Sequence, residues 1–140
     1  MKKIYLAIPY TGMQESSYNQ ANEATVKLLN QGYNVFSPIT HSHPLTLLES
    51  YNVPHTWEYW QQIDYQFIDW ADEVYVFIPK EGISSVVNST GVNAEIKYAM
   101  DHNKPVNLCI ITDGELVVLD SKKVKVVIDT VKDNVPNVSN

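Results

Sequence analysis

Three short runs of almost unbroken hydrophobicity, Lys3–Ile8, Glu73–Ile78 and Val106–Ile111, constrain this chain more than any other feature. They are rich in β-branched and aromatic residues and too short for stable helices. Such runs read as strands buried on both faces, which implies a parallel sheet between helices rather than a sheet with one wet side. The stretches between them carry the helix period. In residues 16–31, Ala21, Ala24, Leu28 and Leu29 gather near one face and Gly32 is a natural stop. Tyr33–Ser37 reads as another short strand, Thr56 caps a long helix through Ala71, and a further helix opens at Ser89 or Thr90 and runs to Asp101. The alternation predicts one α/β domain with roughly five parallel strands and helices on both faces. Residues 38–54 read as loop with a helical turn around 45–50, and 80–88 as loop. Residues 114–129 read as a pair of short strands or as a strand plus a helix. The domain is expected to span 1–132, and the polar end at 133–140, with Pro136, to be mobile. Ligands of such sheets bind beyond the carboxyl ends of the strands, where the loops 9–15, 37–55 and 79–90 fall.

The helix after Ser89 carries the chemistry. Val92, Ile96 and Ala99 form its apolar face, and Glu95 lies on that same face. A carboxylate aimed at a core is costly unless it is paired or used. A capping box does not account for it, because the position three residues after Ser89 holds Val92. The helix N-terminus beside it, Ser89-Thr90-Gly91, offers N–H groups to an anion such as phosphate. In the helix 56–71, Trp57, Trp60, Asp64, Phe67 and Ala71 repeat at spacings of three and four, so Asp64 also lies within an apolar stripe. Two inward acids on separate helices are the arrangement for paired-carboxylate chemistry at a sugar carbon. Trp57 and Trp60 serve either as core or as base-stacking platforms. Tyr10 and His43, in the loops at the expected ligand edge, are candidate contacts to base or sugar.

The charge balance narrows the ligand. A net charge of −6 without a basic cluster argues against a nucleic-acid polymer as partner, but not against a small nucleotide. The single Cys109 sits in an apolar run, as an inert buried thiol does in a reducing, cytoplasmic setting. The N-terminal run is broken by Pro9 and followed by polar residues, so neither a signal peptide nor a membrane association is expected. His41, His43 and His55 invite a metal reading, but no full ligand set accompanies them. No metal and no organic cofactor is expected.

Several segments together resemble the nucleoside 2-deoxyribosyltransferase superfamily. Ile4-Tyr5-Leu6-Ala7-Ile8-Pro9-Tyr10 is similar to its opening "YLAGP" strand and loop. Asp64, ahead of Ala71-Asp72-Glu73-Val74, is similar to the acid that precedes its "AD-x-V" strand. Ser89-x-Gly91-x-x-x-Glu95-Ile96-x-x-Ala99 resembles its "D/S-x-G-x-x-x-E-(I/L)-G-x-A" helix. A further branch of the superfamily looks similar over Ser37–Pro44. The resemblance implies that Glu95 attacks C1′ of the sugar and that Asp64 assists with base and sugar. The branch that hydrolyses deoxynucleoside 5′-monophosphates carries Ser where the transferases carry Asp, and this chain has Ser89. Lys97 replaces a frequent Gly, and the loop after Pro9 lacks the Gly-rich run of the monophosphate hydrolases. The expectation is a flavodoxin-like or Rossmann-like homodimer or higher homo-oligomer. It would cleave the N-glycosidic bond of a small (deoxy)nucleotide by hydrolysis or base exchange, with Tyr10, His43, Trp57, Trp60, Ser89, Thr90 and Gly91 holding the substrate. The competing class is a non-catalytic nucleotide-binding protein on the same fold.

Overall fold

Residues 1–134 are described by a computed structural model, without the side chains of 121, 123, 124 and 131–134. The elements run β1 (Lys3–Ala7), α1 (Gln14–Asn30), β2 (Asn34–Phe36), α2 (Pro38–Ser42), α3 (Trp57–Trp70), β3 (Glu73–Phe77), α4 (Ile83–Val87), α5 (Thr90–Asp101), β4 (Val106–Thr112), β5 (Glu115–Val118) and α6 (Ser121–Asn134). A 3-10 turn, His43–Leu47, follows α2. The sheet order is β2-β1-β3-β4-β5. The first four strands are parallel and β5 is antiparallel to β4. The chain leaves β1 toward β2 and returns on the other side to β3, so the order reverses between β1 and β3, where such sheets open a ligand crevice.

Strand alternation divides the core between the two faces. Tyr5, Ala7, Val74 and Val76 pack with Ile68 of α3, Val92 and Ile96 of α5 and Val127 of α6. Ile4, Leu6, Tyr75, Phe77 and Cys109 pack with Ala21, Ala24 and Leu28 of α1. Tyr5 therefore faces the same helices that carry the two inward acids.

The expected α/β sheet with helices on both faces is present, with three departures: the fifth strand is antiparallel rather than parallel, and two segments read as loop are helical. Residues 38–42 form a helix rather than loop, because Ser37 accepts from the Thr40 N–H at 3.2 Å and Pro38 occupies the first turn. Residues 83–87 also form a helix, although Ile-Ser-Ser-Val-Val has poor helix propensity. Its Val86 is fully buried, so packing decides the conformation. In the tail the strand-plus-helix alternative holds. Asp113 and Gly114 both have positive φ, 51° and 77°, which is the two-residue hairpin turn that reverses the chain into β5. The end expected to be mobile begins within α6, which runs through Asn134, and its residues 135–140 lie outside the described residues.

Candidate active site

Helices α3 and α5 both begin at the carboxyl edge of the sheet. Thr56 starts α3 by accepting from the Tyr59 N–H at 3.3 Å, and Ser89 starts α5 by accepting from Val92 N–H at 3.2 Å. Their first turns wall a cavity of about 650 Å3, a size suited to a small molecule. Of the residues predicted from sequence, Glu95, Asp64, Tyr10, Trp57, Trp60, Ser89, Thr90 and Gly91 line this cavity, and His43 does not. Gln14, Ser42, Thr46, Tyr51 and His55 also line it, without having been singled out as site residues. No Lys or Arg is among the lining residues.

Glu95 and Asp64 form the floor, only 5% and 7% exposed. The Tyr5 hydroxyl donates to Glu95 Oε2. Burial pushes both carboxyls up, Asp64 to about 7 and Glu95 well above its ordinary value. The charge on Asp64 raises Glu95 further, and the Tyr5 hydroxyl lowers both. Two charges in a buried site repel each other, so the pair resists losing both protons near neutrality. Tyr5 is the residue at the acid pair that sequence reading passed over as core. The signal was there, because a phenol in an aliphatic buried strand needs a partner for its hydroxyl.

The walls are aromatic and polar. Gly91 lies against the Trp57 indole, and a methyl added at Gly91 would sit 3.7 Å from its Cζ3. The Trp60 indole N–H donates to the Pro54 carbonyl at 3.1 Å, tying α3 to the loop before it. Ser17 of α1 donates to the Pro9 carbonyl and anchors the loop that presents Tyr10. His43 is buried behind Tyr10, with its Nδ1 2.6 Å from the Tyr10 hydroxyl. The neighbouring histidines serve apart, His41 against Phe36 at 5.7 Å and His55 against Tyr51 at 4.8 Å between ring centroids. Among the described residues no group of three or more His, Cys, Asp or Glu is arranged to hold a metal ion. No described helix is long and apolar enough to cross a membrane.

The family described as a domain of unknown function (DUF1937) matches residues 2–110. No curated protein matches the chain. Among solved structures, a 2-deoxyribosyltransferase from Bacillus psychrosaccharolyticus is 23% identical, with 98% of this chain and 94% of that chain covered and a TM-score of 0.57. A conserved protein from Enterococcus faecalis V583 is 18% identical, with 77% of this chain and 62% of that chain covered and a TM-score of 0.55. At these identities the likeness is one of fold.

Proposed function

We propose that this chain, which belongs to the DUF1937 family, cleaves the N-glycosidic bond of a small (deoxy)nucleoside or nucleotide through a glycosyl-Glu95 intermediate. The observation that carries this reading is the buried Glu95–Asp64 pair at the floor of an aromatic cavity, with Tyr5 donating to Glu95. The fold shared with a 2-deoxyribosyltransferase supports it. The pair holds one proton and one charge. The reaction requires the charge on Glu95, where the Tyr5 hydroxyl favours it, and the proton on Asp64, against the stronger upward push that burial gives Glu95. Glu95 then attacks C1′ as the C1′–N bond breaks, and the Asp64 proton passes to the departing base nitrogen. Attack of water on C1′ releases Glu95 and returns a proton to Asp64. A second base in place of water completes transfer.

Trp57 and Trp60 supply apolar walls for the base. Within this reading a 5′-monophosphate is preferred to the plain nucleoside. The Thr90 and Gly91 N–H groups, in the first turn of α5, have no carbonyl of their own helix to bind and are free for a phosphate. With no Lys or Arg lining the cavity, the preference is modest.

The test is release of free base from a panel of nucleosides and 5′-monophosphates, with and without an acceptor base, by wild type and Glu95→Gln. Base release by wild type alone, with a glycosyl adduct mapped to Glu95, is the expected result. Tight binding without release would make the chain a binding protein instead.

A further inference from the structure

Tyr10, His43 and Glu15 form a chain of contacts that the proposed reaction does not use. The Tyr10 hydroxyl and His43 Nδ1 are 2.6 Å apart, a separation that requires a hydrogen between them. Tyr10 lines the cavity, whereas the His43 ring is buried beside the Tyr18 ring at 4.6 Å. The far ring nitrogen, Nε2, has no hydrogen-bond partner among the described residues, but it faces the Glu15 carboxylate at 3.4 Å. A neutral imidazole carries one hydrogen, and the carboxylate draws it to Nε2. Nδ1 is then a bare acceptor, and only the phenol's own hydrogen can fill the gap. Burial, and after it Tyr51 and Glu15, raise the Tyr10 pKa and keep the phenol protonated. The Thr46 hydroxyl gives its hydrogen to the His43 carbonyl at 2.7 Å and also stands within hydrogen-bond reach of Tyr10, where it lowers the Tyr10 pKa.

We propose that His43 is a positioning residue that takes the Tyr10 hydrogen, so that Tyr10 meets its ligand only as an acceptor and selects a hydrogen-bond donor on the nucleoside. The proposal rests on the nucleoside reading above. It differs from a direct contact between His43 and ligand, and it makes the loop after β1 and the segment after β2 one recognition unit.

Two measurements test it. The first is 15N NMR of the His43 ring in ligand-free protein at about pH 8, above the ordinary imidazole range. The hydrogen is expected on Nε2, and a hydrogen on Nδ1 overturns the proposal whatever the protein binds. The second is the affinity of a Glu95→Gln background for 2′-deoxyadenosine and 2′-deoxycytidine, with Tyr10→Phe, His43→Leu, both together, and His43→Gln. Each of the first two should weaken binding about 3- to 10-fold, the usual worth of one neutral hydrogen bond. The double variant should bind no worse than either single one, because both remove the same contact. His43→Gln should restore most of the loss, since its amide oxygen accepts the same hydrogen. Losses that multiply in the double variant, or that persist in His43→Gln, overturn the proposal. If the Nε2 hydrogen is found and neither nucleoside nor its 5′-monophosphate binds the background protein, the nucleoside reading has failed, and the ligand role of Tyr10 falls with it.

Discussion

Tyr5 donates to Glu95 and also lowers Asp64, so it bears on the ionisation of both acids. Tyr5→Phe removes that donor, and a hydrogen bond to a charged group contributes about 1.5–3 kcal/mol. Base release should fall roughly 10- to 100-fold, and the acidic limb of the pH–rate profile should move to higher pH, because Glu95 loses a contact that lowers its pKa. A profile that drops without moving would mean Tyr5 only fills space. Asp64→Asn removes the proton donor and should lower turnover by roughly 10² or more. The loss should shrink for bases that leave easily, and an equal loss for all bases would point to sugar positioning instead. Glu95→Gln should abolish turnover and raise stability near neutrality on the order of 1–2 kcal/mol. The sign follows from linkage. Folded Glu95 and Asp64 titrate above their unfolded values, so the native state binds more protons between those values and loses stability as pH rises through about 7. The gain in melting temperature over wild type should therefore be largest at pH 7–8 and fade toward pH 4; a gain independent of pH would sever it from the carboxyl.

At the scale of elements, α5 brings both an anion-attracting end and the acid Glu95 to one cavity. Ser89→Asp separates its two roles. Asp caps a helix about as well as Ser, so helix stability should hold. A carboxylate there would repel a phosphate, so any preference for the 5′-monophosphate should vanish or invert. Unchanged stability with unchanged preference would leave Ser89 as a cap only. The helices α3 and α5 were legible in the sequence because cap, period and length agree: Thr56 and Ser89 both cap as expected. The three–four repeat of α3 also brought Trp57, Trp60 and Asp64 to the cavity and Phe67 to a stack on Phe36 with 3.7 Å between ring centroids. Helix α4 was not legible, since its five residues hold shape through buried Val86 rather than through propensity. His43 illustrates the limit at a side chain: its segment borders the cavity, but a burial that turns it behind Tyr10 leaves no trace in spacing.

For the whole molecule, hydrophobic runs identify strands but not their neighbours. The order β2-β1-β3-β4-β5 depends on crossovers that no local pattern encodes. The antiparallel edge strand does leave a local signal, Asp113-Gly114 being a hairpin turn, but the expectation of parallel strands throughout misses it. The same distinction applies to assembly. The sequence of 56–71 has enough large apolar groups for a subunit interface, but the fold turns Trp57 and Trp60 to the cavity and Phe67 to Phe36. Among the exposed apolar groups, three cluster on the segment beside the cavity wall, where Leu45, Leu47 and Leu48 are 40%, 70% and 58% exposed. Three leucines together are more than the scattered single exposure of an ordinary surface. We therefore expect a homodimer or higher homo-oligomer whose interface includes Leu45–Leu48, with twofold pairing as its simplest form. Leu47→Glu with Leu48→Glu should place like charges across that interface and shift the protein to monomer in sedimentation. The melting temperature of each monomer should hold, since neither side chain belongs to the core. Base release should fall on dilution of wild type if a neighbouring copy helps to enclose the cavity, and the double variant should show that lower rate at every concentration. A wild-type protein that sediments as a monomer and keeps full activity at low concentration would sink the expectation, and the exposed leucines would then need another partner.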